Sequence, residues 1–261
     1  MYLPTYHAEL NLPVLRQFVR ENPLGILTTA IKSSSHPLLQ SSHIPWILDV
    51  EDNDSEMELG RLRGHIARQN PQAKAIIESL THESTTTPKN YLEEKVLVLF
   101  NGPVHHYVTP KFYTETKPTS GKVVPTWDYS AVQVYGAARI YFDTRSKEFS
   151  DFLSQQLSDL SLHAETSIMG YGGEDGPRPW EVSDAPSPYI DLLKKNIIGI
   201  EVQIESMTGK FKMSQEKING DRDGVIKGFE SLNSAAGAQM AAAVRERAAL
   251  FDAKKGVKRL S

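Results

Sequence analysis

One stretch, residues 96–136, constrains the fold most, because it encodes two strands separated by a polar loop rich in threonine and lysine. Its first run, 96–100, is continuously apolar, which is typical of a strand buried on both faces. Asn101-Gly102-Pro103 ends that run, because glycine permits positive φ and proline donates no hydrogen bond to a ladder. The second strand places several apolar residues on one face: Val132, Val134, Ala138 and Ile140. The stretch predicts either the wall of a ligand site or a hairpin with a long exposed loop.

Other apolar and β-branched runs predict a mainly β fold of the α+β class. They indicate strands over 24–31, 41–48, 59–66 and 197–204. Because helices do not separate these strands regularly, the pattern favours an antiparallel barrel with peripheral helices over a doubly wound parallel sheet.

Helix-start residues predict where those peripheral helices begin. The candidate starts are Pro13, Asn70-Pro71, Ser146 and Ser187-Pro188, and further helices are predicted over 221–232 and 235–251. Residues 82–90 lack apolar side chains and predict a mobile loop. We therefore expect a barrel domain over 1–232 and a C-terminal helical extension over 233–261.

Composition narrows the classes of function. The chain has 261 residues and no cysteine, so disulfides, thiolate nucleophiles and cysteine-ligated zinc are excluded. No apolar run approaches the roughly 20 residues that span a bilayer, and no signal pattern opens the sequence, so a cytoplasmic or nuclear location is expected. The net charge of −3 and the lack of a basic recognition helix give no support to direct DNA binding.

A first polar cluster combines Arg63-Gly64-His65 with Arg68 and Asn70. A strand that leads into a helix N-terminus, with glycine for close approach and two arginines beside a histidine, is typical of a phosphate cradle. The same residue types also form surface ion pairs and helix caps, so both interpretations stand on the residues alone.

A second cluster combines Lys122 with Trp127 and Tyr129. Lysine pairs with a phosphate as a point charge, and an aromatic ring packs on a flat cofactor or base. The alternative is a core position for Trp127, with Lys122 at its rim.

The histidines give no metal prediction. His105 and His106 are adjacent on a strand and point to opposite faces, and His43 and His65 form no helical ligand pair. The serine-hydrolase elbow, the phosphate-binding loop of nucleoside triphosphatases and the dinucleotide-binding glycine motif are absent from the sequence. Catalytic residues therefore remain unknown at this point.

Several segments, taken together, follow the pattern of one known family. They are residues 1–4, 43–45, 62–72, 100–103 with Tyr107, 122–129, 198–201 and 210–215. In these segments the chain resembles the PaiB-type proteins, which are usually described as FMN-binding negative transcriptional regulators. The resemblance extends from residue 1 to about residue 230 and leaves out the alanine-rich segment after Ser234.

The resemblance implies a split β-barrel similar to that of pyridoxamine-phosphate oxidase and flavin reductases. It also implies a homodimer with FMN at the interface. Carried over to matching positions, Arg63, His65 and Arg68 become candidates for the phosphate and ribityl chain, and Lys122 and Trp127 for the phosphate or the isoalloxazine ring. The predicted cofactor-binding set is completed by Gly64, Asn70 and Tyr129.

One departure from the family bears on cofactor binding. Asp128 stands where the family commonly has asparagine, and a carboxylate near an anionic phosphate would repel it.

Three functions follow from the resemblance. The first is an FMN-binding regulator of PaiB type that senses flavin or redox state through a protein partner. The second is an FMN-dependent oxidoreductase, similar to flavin reductases or pyridoxamine-phosphate oxidase, that acts on a small molecule. The third is a haem-binding split barrel, which requires a histidine as axial ligand.

Overall fold

The computed structural model describes residues 1–81, 90–174 and 176–258, with side chains up to residue 254. The predicted loop over 82–90 therefore lies, except for Asn90, outside the described residues. The strands are β1 (Ala8–Glu9), β2 (Leu24–Ala30), β3 (Leu39–Asp49), β4 (Arg61–Ala67), β5 (Val96–Asn101), β6 (His106–Val108), β7 (Thr126–Tyr141) and β8 (Ile197–Lys212).

The helices are α1 (Leu12–Glu21), α2 (Pro71–Thr81), α3 (Thr116–Ser120), α4 (Lys147–His163), α5 (Ser187–Lys194), α6 (Asn219–Glu230) and α7 (Ala235–Lys258). Helices α1, α2, α4 and α5 begin at or next to the predicted start residues, whereas α6 begins two residues before the predicted 221 and α3 was not predicted. Short 3₁₀ turns occupy Pro110–Phe112 and Val182–Asp184, and a π-helical turn Ala164–Ile168 follows α4. Ser146 caps α4 by accepting a hydrogen bond of 3.1 Å from the backbone N–H of Phe149.

The strands form an antiparallel barrel, which confirms the predicted fold class. Neighbouring strands follow the order β1-β8-β4-β3-β2-β5-β7-β6, and β8 also pairs with β7. This additional pairing closes the series β8-β4-β3-β2-β5-β7 into a ring. The registers of β2 with β3 and β5, of β3 with β4, and of β4 with β8 are antiparallel.

The organising stretch forms β5 and β7, as predicted. In β5 the side chains of Val96, Val98 and Phe100 are fully buried, whereas the two between them are half-buried. The predicted apolar face of β7 is confirmed, since its members are all buried: Val132, Val134, Ala138 and Ile140. Gly136 completes this face, because a Cβ at this position would lie 2.1 Å from the carbonyl oxygen of Gln203 on β8.

The chain divides into two compact units. The barrel unit comprises Asn11–Phe100 and Gln133–Met207, and the helical unit comprises Met1–Leu10, Asn101–Val132 and Thr208–Ser261. The predicted boundary after residue 232 is a different division and stays a prediction.

Each unit has its own buried apolar residues. In the barrel unit the fully buried side chains include Leu27, Ile44, Trp46, Leu62 and Ile198. In the helical unit α6 and α7 pack together, and Val225 and Phe229 share one cluster with Met240, Ala241 and Val244. The alanine-rich segment thus buries one side within its own unit.

The Gly64→Ala substitution tests how tightly the barrel interior is packed. A Cβ at Gly64 would lie 2.8 Å from the Trp46 ring, and Trp46 is only 1% exposed. Because a buried ring cannot move aside freely, we expect the free energy of unfolding to fall by about 1–3 kcal/mol. The control is Gly173→Ala, where a Cβ meets nothing within 4 Å. Urea unfolding measures both variants, and equal stability of the two would contradict this packing.

Candidate functional site

Arg63 lies on β4 and is bound by two carboxylates. Its Nε and Nη2 atoms donate to Asp49 at 2.6 and 2.7 Å, and Nη2 also donates to Asp159 on α4 at 2.6 Å. Burial alone would lower the pKa of this guanidinium, but the hydrogen bonds that it donates to Asp49 and Asp159 outweigh burial and raise the pKa. Arg63 therefore forms ion pairs with carboxylates of its own chain, as one of the two interpretations expected. That it binds a phosphate stays a prediction.

Gly64 and His65 face opposite sides of β4. The Trp46 ring lies so close to position 64 that only glycine fits there. Gly64 therefore contributes to packing inside the barrel. His65 lies on the same face as Arg63, and its Nδ1 atom is buried without a hydrogen-bond partner among the described residues. Burial lowers the pKa of His65, so the ring is neutral at pH 7.

Arg68 directly follows β4 and has no carboxylate partner in the described parts of the chain. Its backbone N–H donates to the carbonyl oxygen of Asn196 at 2.8 Å, and Nη2 donates to that of Phe142 at 2.6 Å. Its Nε atom is buried and unpaired, and burial lowers the pKa of the guanidinium. A half-buried cation without a counter-charge matches the chemistry of a phosphate, which supplies both acceptors and negative charge.

Asn70 caps α2 beside Arg68. Its Oδ1 atom accepts from the backbone N–H of Gln72 at 2.8 Å, and its Nδ2 atom donates to Ser42 at 3.1 Å. The N-terminus of α2 thereby lies next to Arg68 in the sequence, and the positive end of a helix dipole favours a bound anion. We call Arg68, Asn70 and the first turn of α2 the Arg68 site.

Gln72 is a residue that sequence reasoning missed. It is 1% exposed, and its Nε2 atom donates to Leu27 and Gln40 carbonyl oxygens and to the Thr29 hydroxyl, at 3.0 to 3.2 Å. These bonds hold the start of α2 on β2 and β3. The available signal was a glutamine directly ahead of the small and apolar residues of α2, which are Ala73, Ala75 and Ile76.

Trp127 belongs to the helical unit and is not a core residue. It is 50% exposed, so the interpretation of this ring as buried core is wrong. Its Nε1 atom donates to Nδ1 of His105 at 3.3 Å, and its ring centroid lies 6.2 Å from that of Tyr107 across the β6–β7 pair. Lys122 is exposed in the preceding loop, and Tyr129 is half-buried on the same face of β7 as Trp127.

Asp128 points away from that aromatic face. It is fully buried, accepts a hydrogen bond from the Ser214 hydroxyl at 2.7 Å, and lies 3.6 Å from the Lys212 ammonium. Burial raises the pKa of Asp128 to about 6, against the opposing effects of Ser214 and Lys212. Asp128, which stands where the family commonly has asparagine, is therefore a buried carboxyl group next to Trp127 in the sequence and not a charge on the surface.

The structure thus places the predicted residues in two groups. Arg63, Gly64, His65, Arg68 and Asn70 lie on β4 and at the start of α2 in the barrel unit. The second group, Lys122, Trp127 and Tyr129, lies in the helical unit. Within the described ranges, no group of three histidine or carboxylate side chains is arranged to hold a metal ion, and no helix has the length and apolar character to cross a membrane.

Comparison with known proteins defines the class to which this fold and these residues belong. Residues 1–206 match the family described as "Putative FMN-binding domain", and the chain belongs to that family. FMN, the cofactor predicted from the resemblance, is thus the cofactor of the family.

Individual relatives are similar along almost the whole chain. A protein of Aspergillus fumigatus is 59% identical over 261 residues, which cover 97% of this chain and 100% of that protein. The Bacillus subtilis "Protease synthase and sporulation protein PAI 2" is 27% identical over 248 residues, which cover 95% of this chain and 98% of that protein. The second likeness confirms the resemblance to the PaiB type.

Among solved structures, the flavocytochrome Anf3 from Azotobacter vinelandii is similar at 10% identity and a TM-score of 0.41. The match covers 81% of this chain and 72% of that one.

The Asp128→Asn substitution tests the buried carboxylate. The pKa rises from 3.8 in the unfolded chain to about 6 in the folded protein, so the folded state binds more protons between these values and loses stability as pH rises. We expect the variant to match the wild type near pH 4 and to be more stable by about 2–3 kcal/mol at pH 7.

Urea unfolding at several pH values between 4 and 8 measures this difference. The control, Asp191→Asn, changes a carboxylate whose side chain is 69% exposed and leaves the pH profile unchanged. A stability difference that is constant with pH, or a less stable Asp128→Asn protein at pH 7, would contradict the assignment.

Proposed function

We propose that this protein is an FMN-binding barrel protein that acts as a flavin-linked regulator, and that it binds FMN as a homodimer. The observation that carries the proposal is the family match over residues 1–206, together with the uncompensated cation of the Arg68 site. The dimer and the interfacial position of FMN follow from the resemblance to the PaiB type. Bound FMN would supply redox chemistry.

The Arg68 site is proposed to bind the FMN phosphate. Its guanidinium carries a charge without a carboxylate partner in the described chain, and the α2 N-terminus adds a favourable dipole. Arg63 is assigned a supporting role, because its donors already bind Asp49 and Asp159 and so fix β4. His65 is proposed to line the same region as a neutral hydrogen-bonding group.

Within the helical unit, taken by itself, Trp127 is proposed as a ring on which a flavin packs. Half of this side chain is exposed, and its ring is oriented by the hydrogen bond to His105. Tyr129 follows on the same face of β7, and Lys122 is exposed nearby in the chain. Flat aromatic ligands pack on such exposed rings.

A regulatory role is supported by the likeness to the Bacillus subtilis protein, whose name links it to protease synthesis and sporulation. The net charge of −3 gives no support to DNA binding. We therefore propose that the regulator acts in the cytoplasm through a protein partner that distinguishes its flavin states.

Titration of FMN and of riboflavin into the purified protein tests the phosphate assignment. Riboflavin carries the same ring without the phosphate. We expect Arg68→Met to weaken FMN binding by about tenfold or more, because a desolvated charge-assisted contact is lost, and to leave riboflavin binding unchanged. Quenching of flavin fluorescence measures both affinities.

The matched control is Arg61→Met, on the same strand. Arg61 is already paired with Asp49 and Glu201 at 3.3 and 3.4 Å, so its removal is expected to leave FMN affinity unchanged. Equal loss of FMN and riboflavin binding in Arg68→Met would contradict the phosphate role. Absence of saturable FMN binding by the wild type would contradict the proposal as a whole, and a Soret band after haem addition would then identify a haem protein.

Steady-state oxidation of NADH or NADPH separates a regulator from an enzyme. With FMN bound, the regulator is expected to show no turnover above that of free FMN. FMN-dependent turnover well above that background would instead identify an oxidoreductase.

A further inference from the structure

The short helix α5 has an amphipathic sequence but buries none of its eight residues. Tyr189, Leu192 and Leu193 follow the spacing of one helical face, and each is between 42% and 58% exposed. A surface helix ordinarily turns such an apolar stripe toward the core of the protein. Helix α5 therefore presents an apolar face that the described part of the chain leaves uncovered.

Helix α5 is held on the barrel unit at its C-terminal end. The Nζ atom of Lys194 donates to the Ser154 hydroxyl on α4 at 2.8 Å. Directly after the helix, the carbonyl oxygen of Asn196 accepts a hydrogen bond of 2.8 Å from the backbone N–H of Arg68. The apolar face is thus a fixed surface, and the end of α5 lies beside the Arg68 site.

The charges around α5 differ at its two ends. Ahead of the helix, the carboxylates of Glu181 and Asp184 share one arginine, Arg178, at 3.6 and 3.0 Å. At the other end, Lys195 is exposed and follows Lys194. Acidic groups therefore precede the N-terminus of α5, lysines stand at its C-terminus, and the apolar stripe lies between them.

A second copy of the chain matches both the apolar stripe and these charges. In a two-fold interface a surface packs against itself, so two antiparallel α5 helices bury stripe against stripe. The acidic end of each helix then meets the lysine end of the other, which is electrostatically complementary. Asp191 does not obstruct this contact, because it lies two residues from both Tyr189 and Leu193, on the opposite side of the helix.

We propose that the apolar face of α5 is the surface through which two copies of this protein associate, antiparallel about a two-fold axis near Tyr189. This assignment rests on the homodimer of the proposed function and gives that homodimer a surface. Because α5 ends beside Arg68, the second copy adjoins the proposed phosphate site. The association itself requires no flavin.

Sedimentation velocity of the whole, flavin-free protein at several concentrations tests the association. We expect the wild type to be dimeric and Leu192→Ser to weaken dimerisation by at least about tenfold, because the interface loses one apolar side chain from each copy. The matched control is Leu24→Ser at the start of β2, since Leu24 and Leu192 are both 58% exposed. The control is expected to leave the dimer intact.

Cysteine cross-linking locates the interface, and the chain has no cysteine of its own. We expect a short bis-maleimide to join Tyr189→Cys to its own copy, because this position lies near the two-fold axis. Lys195→Cys on the same helix is expected to remain unjoined, because the antiparallel arrangement places its two copies at opposite ends of the paired helices.

A folded Leu192→Ser protein that dimerises as tightly as the wild type would overturn the proposal, as would a dimeric Tyr189→Cys protein that does not cross-link. Either result would leave the homodimer with a different interface. A wild type that stays monomeric would overturn the homodimer as well. Circular dichroism measures folding of the variants, and FMN titration of the same proteins is separate, so failure of flavin binding is distinguished from failure of this surface.

Discussion

Closure of the barrel between β7 and β8 depends on a residue without a side chain. At Gly136 a Cβ would lie 2.1 Å from the carbonyl oxygen of Gln203, a distance that no side chain tolerates. The close approach at Gly136 therefore holds β7 against β8 within the barrel unit.

Cationic side chains with a carboxylate partner have a structural role here, and those without one are candidates for binding an anionic ligand. Arg63 has two carboxylate partners, and its charge is used to hold β4 against β3 and α4. Arg68 is also partly withdrawn from water, yet the described chain provides it with no carboxylate. Removing a charge from water is costly unless a partner is supplied, so an anionic ligand gains most at this position.

The sequence predicts long buried elements well, because β5 and the apolar face of β7 repeat their pattern over many residues. It misses β1 and β6, which have two and three residues and are too short to show a period. One interpretation of the sequence wrongly placed Trp127 in the core. The exposure of this ring depends on neighbours that are distant in sequence, so the local pattern does not show it. The role of Gln72 was hidden for the same reason, since its acceptors lie on β2 and β3. FMN was predicted from the family resemblance, because no motif or residue spacing in this chain identifies a cofactor.

The central claim, that this barrel binds FMN as a homodimer, is tested most directly by sedimentation velocity recorded at one wavelength for the protein and one for the flavin. The account predicts that the flavin absorbance sediments with the protein, at the mass of two chains and with one FMN per chain. Flavin that stays behind while the protein sediments alone would contradict it.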